Sequence, residues 1–275
     1  MFSYVGKSAI VTGAGRGIGR AVALAFARQG ADLILAARSV NELEEVAAEI
    51  RALGRRAWVV PTDMSRLDQA QNLVREAVRL AGKIDILVNN AGGGSSIPGG
   101  VGPLEEATPE AFDAVYALNV KGPFFAALRA AEHMKAQGTG GAILNIVSID
   151  GVAPAPGEAL YGSAKAALVS LTENLAIELG RYRIRVNAIA PSLIDTRLVA
   201  RHLQTPEQRQ HRASFFPLGR VGTPEDIAAA AVYLCSDEAG WVSGITLLVA
   251  GGAKVPYDYF KWLRTVNPVP DQFRM

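Results

Sequence analysis

Cysteine is almost missing from this chain. Its 275 residues include one, Cys235. No internal disulfide can form, and a reducing compartment is the natural expectation. Histidine is scarce too. His133, His202 and His211 stand at spacings that match no metal-ligand pattern, so no bound metal is expected. No run reaches the ~18 apolar residues that a membrane span needs. The start, MFSYVGKSAIVTG, lacks the basic stretch, apolar run and small-residue site of a secretory signal. A cytoplasmic location away from membranes is therefore expected. Charge of one sign is missing as well. A net charge of +2 builds no field that would hold nucleic acid or an anionic membrane.

What the chain does have is apolar residues in short, regular bursts. They make up 49% of it, with charged residues at 20%, which is ordinary globular composition and ample for a core. SAIVTG is followed by GIGRAVALAFARQG, and ADLILAAR by VNELEEVAAEIRALG. RRAWVVPTD precedes RLDQAQNLVREAVRLAG. KIDILVNNAG precedes a loop and the helical pattern PEAFDAVYALNVKGPFFAALRAAEHMKAQG. GAILNIVS leads to YGSAKAALVSLTENLAIEL, and RIRVNAIAPS to a looser helical region. Strand and helix in alternation predict βαβ units, a parallel sheet and an α/β fold in one domain. Cys235, inside DIAAAAVYLCS, reads as a small buried apolar residue.

Two stretches carry chemistry. The first is Thr12–Gly19, TGAGRGIG, between a strand and a helix. Glycines there let the backbone approach a pyrophosphate, and the helix amino terminus offers unpaired N–H groups. An NAD site wants an acid at the end of the next strand. This chain has Arg38, with Arg16 in the glycine loop, and both guanidinium groups suit a 2′-phosphate. NADP(H) is thus favoured, with NAD(H) the alternative. Asp63, after the third strand, is placed either to accept from an adenine amino group or to cap a helix. The second stretch, SIDGVAPAPGEALYGSAK, holds Ser148, Tyr161 and Lys165. Tyr161 and Lys165 are four apart in a helical pattern and so share one face. A cation beside a phenol is expected to draw its pKa below ~10, toward general acid/base work. Ser148 ends an apolar strand, where open α/β sheets bind ligands.

Thr12–Gly19, Asn89–Gly92 (NNAG), Asn119, Ser148, Tyr161 and Lys165, in this order between residues 5 and 252, resemble the short-chain dehydrogenase/reductase family. The resemblance implies a single doubly wound Rossmann domain over residues 1–252, with a seven-stranded parallel sheet and helices on both faces. Its substrate lid would span about residues 192–217. Tyr161 would be the catalytic acid/base, and Ser148 would hydrogen-bond the substrate oxygen. Lys165 would hold the nicotinamide ribose and lower the tyrosine's pKa, and Asn119 would anchor a water linking Lys165 to solvent. The cofactor would meet Gly13, Gly15, Arg16, Gly17, Ile18 and Gly19 in the first turn. Arg38, Asp63, Met64, Asn89, Ala91 and Gly92 would border its adenosine half, with Tyr161 and Lys165 at the other end. Asn187, Pro191, Ile194 and Thr196, in VNAIAPSLIDT, would hold the nicotinamide. A homotetramer is implied, with a dimer as the alternative.

The sequence departs from the family pattern in three places. Ser192 follows the proline where glycine is usual, Ala250 stands where the last strand often carries an acid, and residues 253–275 continue past the usual end. That extension carries Tyr257, Tyr259, Phe260, Trp262 and Phe273. So many aromatics predict that it packs on the domain or on a neighbouring subunit. Val152, Ala153, Pro154 and Pro156, with Leu193, Leu198, His202, Leu203, Phe215 and Phe216, predict a mostly apolar substrate pocket. The expected activity is NADP(H)-dependent interconversion of a fairly apolar ketone and a secondary alcohol. A 3-oxoacyl-carrier-protein reductase is an alternative, weakened by Thr139 and Tyr182 where a basic docking surface is usual. A sugar or polyol dehydrogenase is another. From a different class comes a nucleotide-binding redox sensor or scaffold, which the intact catalytic set disfavours.

Overall fold

The computed structural model describes residues 2–197, 199–200 and 203–253. The aromatic extension, Leu198 and His202 lie outside these residues. Seven strands form one parallel sheet: β1 (Ser8–Thr12), β2 (Asp32–Ala37), β3 (Ala57–Pro61), β4 (Ile86–Asn89), β5 (Gly141–Ile146), β6 (Ile184–Pro191) and β7 (Thr246–Val249). Their order is β3-β2-β1-β4-β5-β6-β7. The expected doubly wound sheet is therefore present. Val11 of β1 pairs with Leu35 on one side and Val88 on the other. The strand order reverses between β1 and β4, which opens a crevice at their carboxyl ends.

Alternation along each strand divides the core in two. Ala9, Val11, Leu33 and Leu35 face one layer, with Val22 and Phe26 of α1 (Gly17–Arg28), Leu43 and Ile50 of α2 (Val40–Ala52) and Ile227 of α8 (Pro224–Cys235). Ile10, Ile34, Leu87 and Ile143 face the other, with Leu73 and Val74 of α3 (Leu67–Ala81) and Ala130 and Met134 of α5 (Gly122–Gln137). Each large aliphatic or aromatic side chain buried this way contributes ~1.5–3 kcal/mol. Cys235 is buried in the first core, as the sequence predicts.

Local chemistry sets the helix ends. Thr223 accepts from the Asp226 N–H while the Asp226 carboxylate accepts from the Thr223 N–H, a reciprocal cap opening α8. Thr108, followed by Pro109, starts α4 (Pro109–Tyr116) with a one-way cap, its hydroxyl accepting from the Ala111 N–H. By contrast, the amino terminus of α1 has no side-chain cap and no acid in its first turn. Its N–H groups open toward the crevice.

The segment from Pro109 to Gly138, a single helical pattern in the sequence, is interrupted. Between α4 and α5 lies one wide π turn, Ala117–Lys121. The local cause is Pro123, which has no N–H to return to the Asn119 carbonyl four residues back. Beyond β6, the chain makes a bridge from Ile194 to Gly222 and the short α7 (Pro206–Ala213). Phe215, Phe216 and Ala253 form a small cluster there with Leu193 and Val221. The positive φ angles of Gly251 (61°) and Gly252 (88°) turn the chain under Phe216 and Pro217, leaving no room for a Cβ on Gly252.

Candidate active site

A cleft of about 1990 Å³ runs along the carboxyl edge of the sheet, from Arg38 and Asp63 to Tyr161 and Phe216. The first turn forms one end of its floor. Gly17 takes φ 55°, and a Cβ on Gly19 would stand 2.2 Å from the Gly13 carbonyl oxygen. The backbone here closes so tightly that only glycine fits, leaving a shallow cradle above an uncapped helix end. Asn90 braces it from the residue just after β4: Nδ2 donates to the Thr12 and Gly13 carbonyls at 2.8 and 3.3 Å. Thr12 Oγ1 in turn accepts from the N–H groups of Asn90 and Ala91.

Arg16 and Arg38 both border this end and are exposed. Glu42, in the first turn of α2, lies 3.5 Å from Arg16 and 3.6 Å from Arg197. Asp63 spends one oxygen on Ser65, accepting from its N–H and its hydroxyl. Its carboxyl is held below the ordinary value by those bonds and by Arg38 and Arg66, against the opposing effect of burial. Gly13, Gly15, Gly17, Ile18, Met64, Ala91, Gly92, Pro191, Ile194 and Thr196 line the same cleft. Gly19 and Asn89 support it from below. Asn89 Nδ2 donates to Asn145 Oδ1 at 3.0 Å, and Asn145 passes the chain to Thr172 of α6 (Ala159–Leu179) at 2.9 Å. Asn187 stands apart from the cleft. Its amide donates to the Val242 carbonyl and accepts from the Ile245 N–H, so it joins β6 to the approach of β7.

Ser148, Tyr161 and Lys165 meet at the other end. Lys165 is 3% exposed and donates to the Ile146 carbonyl at 2.9 Å. Its Nζ stands 5.6 Å from the Tyr161 ring centre. Asn119, in the π turn, accepts from the Gly93 N–H and donates to the Gly93 and Val115 carbonyls. A Cβ on Gly92 would lie 2.8 Å from Asn119 Oδ1 and 2.9 Å from Lys165 Nζ, so that glycine alone separates the two. Ser148 Oγ donates to Asp150 Oδ2 at 2.9 Å and accepts the Asp150 N–H at 3.2 Å. A hydroxyl has one proton. Here it is directed at Asp150, not outward.

Electrostatics corrects one expectation. Tyr161 lies above its ordinary pKa of 10.0, not below it. Burial is the main cause; Asp150 and Glu158 add to it, and the Ser148 hydroxyl offsets part of it. Burial also lowers Lys165, to about 8. The raised phenol keeps its proton at neutral pH and is placed to donate it. Burial also raises Asp150, and Glu158 reaches about 7 through burial and the neighbouring Asp150 charge. Sequence reasoning missed both acids, although they sit two residues after the serine and three before the tyrosine.

Of the residues expected to form an apolar pocket, Pro156, Leu193, Phe215 and Phe216 line the cleft, whereas Val152, Ala153, Pro154 and Leu203 do not. Ile97, Val101, Leu104, Val199, Phe215 and Phe216 line the substrate end, with Asp150 and Glu158 among them. Among the described residues, no group of His, Cys, Asp or Glu is arranged to hold a metal ion, and no helix is long and apolar enough to cross a membrane.

The chain is similar to known proteins along most of its length. A family model described as enoyl-(acyl carrier protein) reductase matches residues 13–254. An uncharacterised oxidoreductase of Mycobacterium tuberculosis is 43% identical over 256 residues, covering 93% of this chain and 95% of its own. An L-rhamnose 1-dehydrogenase (NAD(P)(+)) of Azotobacter vinelandii is 39% identical, over 90% of this chain and 96% of its own. A solved 7α-hydroxysteroid dehydrogenase, complexed with NADH and 7-oxo glycochenodeoxycholic acid, superposes with a TM-score of 0.85 at 39% identity. It covers 92% of this chain and 96% of its own.

Proposed function

Because the chain belongs to the short-chain dehydrogenase/reductase family, we propose that it interconverts a ketone and a secondary alcohol, with NADP(H) as hydride carrier and Tyr161 as general acid/base. The observation that carries this reading is the meeting of Ser148, Tyr161 and Lys165 in the cleft that begins at the glycine cradle. The cradle suits a dinucleotide: its glycines admit no Cβ, and the open end of α1 favours a pyrophosphate. Gly13, Gly15, Gly17 and Ile18 would hold the phosphates, and Arg38 with Arg16 would hold a 2′-phosphate. Asp63, Met64 and Ala91 would border the adenine. Lys165, Pro191, Ile194 and Thr196 would border the nicotinamide half.

When bound, the cofactor exchanges a hydride with the substrate carbon. The chain handles the proton. In reduction, negative charge grows on the substrate oxygen, and the neutral Tyr161 phenol gives that oxygen its proton. In oxidation Tyr161 must pass a proton on. Lys165, brought to about 8, holds or releases one near neutral pH, and Asn119 stands beside it across Gly92. Ser148 hydrogen-bonds the substrate oxygen once its one proton turns from Asp150 to that oxygen. The protein is read as cytoplasmic and homotetrameric, acting on a substrate with an apolar body. The similarity to an L-rhamnose 1-dehydrogenase, together with two acids in the pocket, favours a hydroxyl-bearing substrate as a second reading.

The test pairs cofactor titration with turnover. Tyr161→Phe is expected to lose ~10²–10⁴-fold in kcat while binding NADPH as the parent does. Parallel assays with NADPH and NADH check cofactor choice. A Tyr161→Phe protein working at the parental rate removes Tyr161 as the proton carrier. Consumption of NADH alone removes the NADP(H) reading and leaves the reductase.

A further inference from the structure

Glu158 is the group in the cleft that the proton chemistry leaves unused. It stands at the amino end of α6, three residues before Tyr161, so both side chains rise from the same side of the helix start. It lines the cleft beside Ser148, Asp150 and Tyr161. One of its oxygens, Oε2, is buried and meets no hydrogen-bond partner among the described residues. Buried carboxyl oxygens are nearly always bonded, and one left alone is costly. Asp150, the nearest acid, is already engaged with Ser148 and cannot donate while ionised.

The condition of Glu158 narrows what would satisfy it. At about 7 it exists both protonated and ionised near neutral pH. It can therefore give a hydrogen bond or take one. A hydroxyl does both and so fits either state. A purely apolar group would leave the orphan unanswered, and an anionic group would face two acids. Val101, Leu104, Phe215 and Phe216 give the cleft apolar wall, with Ser95, Ser96 and His211 as smaller polar patches.

We propose that Glu158 is a specificity residue that binds a second hydroxyl of the substrate, close to the reacting carbon, on a molecule whose remaining surface is largely apolar. This rests on Ser148 and Tyr161 as the reacting centre. The substrate class is then a hydroxylated ring or chain, distinct from a simple ketone or alcohol. Glu158 selects by the free energy lost when a substrate without that hydroxyl leaves its carboxyl unpaired.

The test uses a matched pair, cyclohexanol and trans-cyclohexane-1,2-diol, oxidised by the full-length enzyme with NADP+ and with NAD+. The parent is expected to favour the diol in kcat/KM. Glu158→Leu is expected to lower the diol-to-alcohol ratio about tenfold or more, whereas Glu158→Gln, still a donor and acceptor, keeps most of it. Should Glu158→Leu fail to fold, Glu158→Ala is read in the same way. If the parent turns over neither alcohol, calorimetric titration of the pair into the NADP+-loaded protein decides by the same comparison. An unchanged ratio in the variants, or a parent with no preference for the diol, overturns the proposal. So does a stronger preference for 2-aminocyclohexanol, which would make the recognised group a cation. Tyr161→Phe run alongside separates the two readings. If it turns over both alcohols at the parental rate, the reacting centre is misassigned; if it is inactive and the ratio is unmoved, only the role of Glu158 fails.

Discussion

Lys165 shows how function and stability oppose each other within one side chain. Burial brings its pKa from 10.5 to about 8. The unfolded chain, with an ordinary lysine, binds that proton more tightly than the folded one. Folding therefore loses stability as pH falls from 10.5 to about 8, by about 3 kcal/mol for a shift of this size, and the penalty persists below. Lys165→Met is expected to be inactive yet at least as stable as the parent at pH 7. Thermal melts across pH 7–10.5 should show the parent gaining on the variant as pH rises through that window. A constant difference would mean that Lys165 titrates normally. At this scale the sequence was informative where spacing carries meaning. Tyr161 and Lys165 share a helix face, and the structure brings both to Ser148. The charges of Asp150 and Glu158 on the tyrosine were not legible. A carboxylate in a loop reads as solvated until the fold buries it.

The π turn at Ala117–Lys121 shows the limit of periodicity at the scale of elements. A helix pattern in sequence reports apolar spacing, and one widened turn disturbs that spacing too little to be seen. The widening places Asn119 where it reaches the loop at Gly93 while bonding Val115. Gly122 follows directly and presses on the strand-to-helix loop after β3. A Cβ there would stand 2.0 Å from the Met64 carbonyl oxygen. Gly122→Ala must push α5 from that loop, at an expected ~1–3 kcal/mol. Because Met64 lines the cleft, affinity for NADPH should fall as well. Denaturant melts and cofactor titration measure the two effects. An unperturbed variant would show that the loop yields freely. Six of the strands were legible, since each is a short aliphatic run between turns, and β1, β2, β4, β5 and β6 are largely buried on both faces; β7, with no buried residue, was reached only through the resemblance. The order β3-β2-β1-β4-β5-β6-β7 is a matter of topology that the apolar runs alone do not encode.

The whole molecule is two apolar layers divided by a sheet, with all the chemistry gathered along one edge. A thread of buried polar side chains, the amides of Asn89 and Asn145 and the hydroxyl of Thr172, crosses from β4 through β5 to α6. It ties the strand below the cradle to the helix that carries Tyr161. Such a thread is hard to read in a sequence, because its members lie far apart along the chain and each alone looks like an ordinary polar residue. The segment between β6 and α8 is secured differently. Phe216 packs over Gly251, and the Leu218 N–H donates to the Gly251 carbonyl. The flap beside the cleft is thus riveted to the chain just beyond β7. A single tryptic cut at the exposed Arg209 should therefore leave two fragments that travel as one particle on gel filtration and part only in denaturant. Cleavage would sever the chain without releasing the flap.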